Sequence, residues 1–256
     1  MTQKMPVLFV GHGSPMNAIE DNEFSRAWKQ AGQEVPTPRA IICVSAHWVT
    51  RGTLVTAMDK PRMIYDMYGF PPELYEVRYD APGAPDLAKQ VRRIIKKTEV
   101  KDDQEWGLDH GTWSVLTHMF PKADIPVIQM SLDATITPEK HYEIAAQLRE
   151  LREEGVLIIG SGNIVHNLRM VRFDDSAYDW AMQFDGRVAS WIEQNDHNPI
   201  VHYEGGDQAA VLAINTAEHY LPLLYSLALR DDDDKVSFFA DKVMGGSISM
   251  RSVRIG

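Results

Sequence analysis

Seven apolar runs punctuate this chain. VLFV (7–10), AIICVSA (40–46), TLVTAM (53–58), PVIQMSL (126–132), VLIIG (156–160) and VSFF (236–239) read as strands, and ISMRSVRI (248–255) alternates weakly. Most are apolar almost throughout, the pattern of strands covered on both faces. Between them, apolar positions recur at three- and four-residue spacing and predict helices over 22–33, 85–97, 113–120, 138–153, 177–194 and 217–229. The helix at 138 is well signed, since Thr137 can cap it, Pro138 suits its first turn and Gly155 follows its end. Alternation of this kind indicates an α/β fold: one domain, residues 1–256, with a central mostly parallel or mixed sheet flanked by helices. One stretch breaks the pattern. Residues 59–85 carry five prolines and many aromatics without periodicity. A loop that long either walls a site or packs on its own aromatics.

Composition narrows the function. Hydrophobic residues make up 44% of the 256, enough for a sizeable core. A formal charge of −10 argues against a nucleic-acid partner, which needs a basic surface. Part of that charge is the run Asp231 to Asp234, read as a solvated loop. With a single cysteine, Cys43, neither an internal disulfide nor a thiolate metal cluster is possible, and in IICV it reads as a small core residue. The apolar run from Pro6 to Val10 is too short for a signal-peptide core, and no run approaches the roughly 20 apolar residues of a membrane helix. The expectation is a cytoplasmic protein with no membrane partner.

Nine histidines are the chemical asset. His141 shares an apolar helix face with Ile144, Leu148 and Leu151 and reads as core. His197 and His202 sit in the polar stretch NDHNPIVHYEGG and read as solvated, and His118 falls on the polar side of its helix. The other five differ. His12 follows the first strand in GHGSP, His47 follows the second in VSAHW, and His166 comes just past VLIIG and the turn SGN. Ligands of open α/β sheets bind beyond the carboxyl ends of the strands, so these imidazoles are placed to meet at one edge. His110 lies in WGLDHGTW ahead of a helix, and His219 in NTAEHYLP, in the first turn of a helix capped by Thr216. Imidazole suits zinc and iron alike, and His12, His47 and one further ligand would make an open metal site. The glycines flanking His12 would let a bulky ligand approach; otherwise they make a tight turn. Neither GHGSP nor IGSGN is a nucleophile elbow, and no phosphate-cradling glycine motif is present.

Six ordered motifs, GHGSPM, VSAHW, the loop with GFPPELY and APG, WGLDHGTW, SGNIVHNLR and TAEHYLPLLY, resemble the class III extradiol ring-cleavage dioxygenases, and within them the 4,5-DOPA extradiol dioxygenase family. The likeness runs from about residue 6 to residue 255. It implies a mononuclear non-haem metal site that opens a catechol ring beside its hydroxyls with O₂. Fe²⁺ is the usual metal, and Zn²⁺ is also described for the group, although zinc has no redox chemistry. By position, the resemblance makes His12 and His47 metal ligands and His219 a third, where other class III enzymes place a glutamate. Glu218 is adjacent, and neighbouring helical residues point about 100° apart, so one of the two faces the metal. His219 is the expected ligand, with Glu218 at home near a helix N-terminus. His166 is expected to touch the metal at rest and to take a catechol proton during turnover, and His110 to assist as an acid. Asn163 and Asn167 either orient His166 or pack its loop. The alternative is a zinc-dependent enzyme or chelatase using the same strand-end histidines without O₂. A mere binder of metal or catechol would not need His110.

Overall fold

Strands buried on both faces satisfy their backbone groups only inside a sheet, and the apolar runs do so together. The structure, a computed structural model, describes residues 4–256. Eight strands form one sheet: β1 (Val7–Gly11), β2 (Ala40–Thr50), β3 (Thr53–Thr56), β4 (Val100–Asp103), β5 (Val127–Asp133), β6 (Val156–Gly162), β7 (Val236–Phe239) and β8 (Ser252–Ile255), in the order β4-β3-β5-β2-β6-β1-β8-β7. The middle four, β5-β2-β6-β1, run parallel, in registers such as Ile41 opposite Val127 and Val7 opposite Ile158. Antiparallel pairs join β3 to β5, β8 to β1 and β7 to β8. The sheet is therefore mixed, and the carboxyl ends of its four central strands share one edge.

Alternating side chains of the strands feed two separate cores. Val7, Phe9, Ile42, Val44 and Ile158 pack against the helices α2 (Pro85–Ile94), α4 (Pro138–Ala146), α5 (Asp179–Glu193) and α6 (Leu221–Leu227). Leu8, Val10, Ile41, Cys43 and Ile159 pack against α1 (Glu23–Glu34) and α3 (His110–Met119) on the other face. Trp28 and Trp113 are wholly buried there. Side chains of this kind contribute about 1.5–3 kcal/mol each on leaving water. Local signals set the helix starts. Asn22 and Ser25 close a capping box on α1, Thr137 caps α4 ahead of Pro138, and Asp109 caps α3 through the Thr112 amide. Among the described residues no helix is long and apolar enough to cross a membrane.

The differences from the sequence reading have local causes. Strand β4, VKDD, has only Val100 buried and pairs with β3 alone, so a charged edge carries no apolar signal. The helix expected over 138–153 ends at Ala146, and a 3₁₀ turn, Arg149–Arg152, follows. The Asp231 to Asp234 run is not simply solvated. Asp234 accepts two bonds from the wholly buried Arg152, at 2.5 and 3.0 Å, and Lys4 reaches Asp231 at 2.6 Å. The stretch 59–85 is ordered by a short strand pair, Arg62–Met63 with Gly107–Leu108, and by a one-turn helix, Pro72–Tyr75.

Candidate metal centre

Five histidines converge at the carboxyl edge of the central strands. His12 leaves β1, with its backbone amide bonded to the Gly162 carbonyl at the end of β6, 3.1 Å away. His47 lies inside β2 rather than after it, where the register against β5 slips between Val44 and Val49. A bulge of this kind re-aims a side chain at a sheet edge. His110 opens α3 behind its Asp109 cap. His166 follows β6 on a segment bridged to Ile248. His219 precedes α6 in a turn and not inside a helix, which removes the helix-dipole reason for Glu218. Gly162 permits this approach, because a Cβ there would collide with the His219 carbonyl.

The glycines around His12 have a different purpose from ligand access. A Cβ on Gly11 would strike the Met250 backbone, and Gly13 adopts a positive φ of 57° against the Met250 side chain. They admit the C-terminal segment against the strand end.

Ring centroids of His12, His47 and His219 stand 4.9, 5.3 and 5.0 Å apart in pairs. Nitrogens of His12, His47 and His110 lie within 4.8 Å of one another, and so do ligand atoms of His166, Glu218 and His219. Hydrogen bonding fixes where the protons are. Ser161 Oγ donates to the Gly111 carbonyl at 2.5 Å, so it accepts from His12 Nδ1 at 2.9 Å. The Asp66 carboxylate faces His47 Nδ1 at 3.2 Å, and Glu218 accepts from His219 Nδ1 at 3.2 Å. His12 and His219 then carry their proton on Nδ1 and a lone pair on Nε2, and the Asp66 contact favours the same form of His47.

The consequence decides the chemistry. Nε2 of His12 and Nε2 of His47 stand 3.1 Å apart, an N–H···N bond if His47 carries its proton on Nε2 and two facing lone pairs if it carries it on Nδ1. In the second form the two nitrogens repel unless a cation lies between them. Nitrogens sharing one ion at about 2.0–2.2 Å stand about 2.9–3.5 Å apart. The donor set therefore fits a divalent metal, each imidazole backed by an oxygen acceptor as in known metal sites. Burial, reinforced by the neighbouring imidazoles, holds His12 and His219 well below the ordinary imidazole pKa, and burial with the adjacent His110 ring takes His47 to about 3. All three are neutral at pH 7, the form in which an imidazole can bind a metal.

His166 stacks on His219, centroids 3.5 Å apart and planes 8° from parallel. In this orientation an ion in the plane of one ring lies about a stacking distance outside the plane of the other. A ligand atom of His166 nevertheless lies within 4.8 Å of those of Glu218 and His219. Burial lowers its pKa to about 4 despite the opposing Glu218 charge. The two asparagines do not hold the His166 ring: Asn163 Nδ2 donates to the Ser249 carbonyl and Asn167 Nδ2 to that of Leu212, so both pin loops.

Asp66 escaped the sequence reading. It stands in the long loop 59–85, and its only signal was that such a loop can wall a site. Burial pushes its carboxyl up, but contacts with His110 and His47 outweigh this and hold it below the usual carboxylate range. Elsewhere, His141 is a satisfied core histidine, bonded to the Tyr225 hydroxyl at 3.0 Å and the Asp133 carbonyl at 3.1 Å. His197 is not solvated; it bonds the Tyr142 hydroxyl at 2.8 Å, and burial lowers its pKa to about 4.

These buried neutral imidazoles make stability pH-dependent. Burial holds His141 at about 4, whereas an exposed imidazole titrates at 6.5. The unfolded chain thus binds more protons between those values, so stability is complete above pH 6.5 and is lost as pH falls toward 4. A group shifted this far removes about 2 kcal/mol at pH 5. The melting temperature of the metal-free protein should therefore fall steadily from pH 7 to pH 5; a constant value across that range would contradict the assignment.

A mixed α/β sheet with backed imidazoles at its carboxyl edge defines a metal-dependent enzyme of the strand-end type. Residues 6–248 match the family described as the catalytic LigB subunit of aromatic ring-opening dioxygenase, and the chain belongs to that family. It is 45% identical to the 4,5-DOPA dioxygenase extradiol of Escherichia coli K12, over 99% of this chain and 95% of that protein. It is 34% identical to the Beta vulgaris protein of the same name, over 96% and 94%. The crystal structure of an uncharacterized Escherichia coli K12 protein superposes with a TM-score of 0.87 at 42% identity, covering 98% of this chain and 100% of that one. The chain is thus a ring-opening dioxygenase, and the chelatase alternative falls away.

Proposed function

We propose that this dioxygenase opens a DOPA-like catechol beside its hydroxyls, at one ferrous ion held by His12, His47 and His219, with His166 and His110 moving protons. The observation that carries the ligand assignment is the 3.1 Å approach of the His12 and His47 Nε2 atoms, with His219 beside both rings. When bound, the ion supplies a chelating site for both catechol oxygens and, as Fe²⁺, a redox partner for O₂ that Zn²⁺ could not be. The chain's own residues do the rest. His166, stacked beyond the ligand plane, takes a catechol hydroxyl proton without competing for the ion. His110 packs against His47 with centroids 3.8 Å apart, and its Nδ1 faces Asp66. That leaves the Nε2 lone pair to take up a proton released by the catechol and return it to the oxygen atoms during ring opening. A cleft of about 330 Å³, lined among others by Asp133, His141, Tyr203 and Glu204, meets the site through Glu218. Its acidic wall suits a ring substituent bearing an ammonium group, as DOPA does. A ferrous centre also favours the reducing cytoplasm as the place of action.

Anaerobically iron-loaded protein, mixed with DOPA and air, should form the coloured ring-opened semialdehyde and consume one O₂ per catechol. Catechol binding with no O₂ uptake under iron would contradict the proposal.

A further inference from the structure

We propose that Asp66 is a positioning residue that fixes the Nδ1–H form of both His47 and His110, tying the metal ligand and the proton carrier into one unit. The inference rests on the roles just given to those two rings. One carboxylate brackets both: Asp66 Oδ1 accepts the His110 backbone N–H at 2.9 Å, and Oδ2 lies 3.0 Å from His110 Nδ1 and 3.2 Å from His47 Nδ1. An ionised carboxylate has no proton to give, so its contact favours an N–H over a lone pair on the nitrogen of each imidazole that faces it. Their Nε2 lone pairs are then free, one for the ion and one for substrate.

The bracket is rigidly mounted. Two residues earlier, Ile64 donates to the Leu108 carbonyl at 2.7 Å and accepts from Trp113 Nε1 at 2.9 Å. Leu108 and Trp113 flank His110 in the chain, so the loop and the start of α3 are sewn together around the carboxylate. The buried His110 Nδ1 has no aligned hydrogen-bond acceptor, and Asp66 stands beside it in charge contact. With that carboxylate gone, nothing would distinguish the two nitrogens of the ring. The same contact gives the aperiodic loop 59–85 a function beyond filling space.

Asparagine cannot replace this carboxylate. Three N–H groups need acceptors on both oxygens, and a carboxamide offers one oxygen and an NH₂ group. NMR of ¹⁵N-histidine-labelled wild-type protein, metal-free and zinc-loaded, should show His47 and His110 as Nδ1–H tautomers. Asp66→Asn should keep its melting behaviour yet bind Zn²⁺ about 10–100-fold more weakly in chelator competition, the usual cost of losing a ligand's backing group. Its His110 should become a tautomer mixture, and Asp66→Glu should restore part of the affinity. An Nε2–H form of either ring in the wild type would overturn the proposal even if the variant failed to fold. So would wild-type zinc affinity and tautomers in Asp66→Asn. Neither readout needs turnover: absence of ring cleavage in the wild type would sink the proposed function and leave the Asp66 result standing.

Discussion

His12→Ala and His47→Ala should each purify with less than about a tenth of the wild-type metal and with no measurable ring opening. Loss of a mere backing group weakens a metal site about 10–100-fold, and loss of a ligand exceeds that. The reason lies in the facing Nε2 atoms, 3.1 Å apart. Remove either ring and the remaining lone pair has no partner across the ion. The fold should survive, because β1 and β2 are held by Val7, Phe9, Ile42 and Val44 in a core away from the edge. Elemental analysis beside a melting curve decides the matter. Full metal occupancy in either variant would remove that residue from the ligand set.

His110→Gln should keep its metal and its affinity for catechol and turn over at least about 100-fold more slowly, the ordinary scale of proton-transfer assistance. The glutamine amide can still donate to Asp66 but cannot carry a proton at the position of Nε2. Metal content, catechol affinity and turnover measured on one preparation separate the effects. An unchanged turnover would leave His110 as packing against His47.

The four central strands were legible because strands covered on both faces must be apolar, and β1, β2, β5 and β6 are. His12 and His166 were legible from their place just past such runs. Features made by long-range pairing were not. The extension of β2 through His47 depends on its register against β5, which no local spacing encodes. Strand β4 is an edge whose charge hides it. The glycines beside His12 answer to Met250, far along the chain, and Asp66 enters from a segment with no periodicity. Glu218 was read against a helix dipole, but it accepts from His219 Nδ1. In each instance a residue type marked the position, while its partner came from elsewhere in the chain.

A crystal of the iron-loaded protein, with anomalous scattering collected at the iron edge, tests the centre directly. The account predicts one peak within about 2.0–2.3 Å of Nε2 in His12, His47 and His219, with His166 still stacked on His219 and unbonded to the ion. A peak bonded to His166 or His110 in place of His219, or one away from the strand edge, would contradict it.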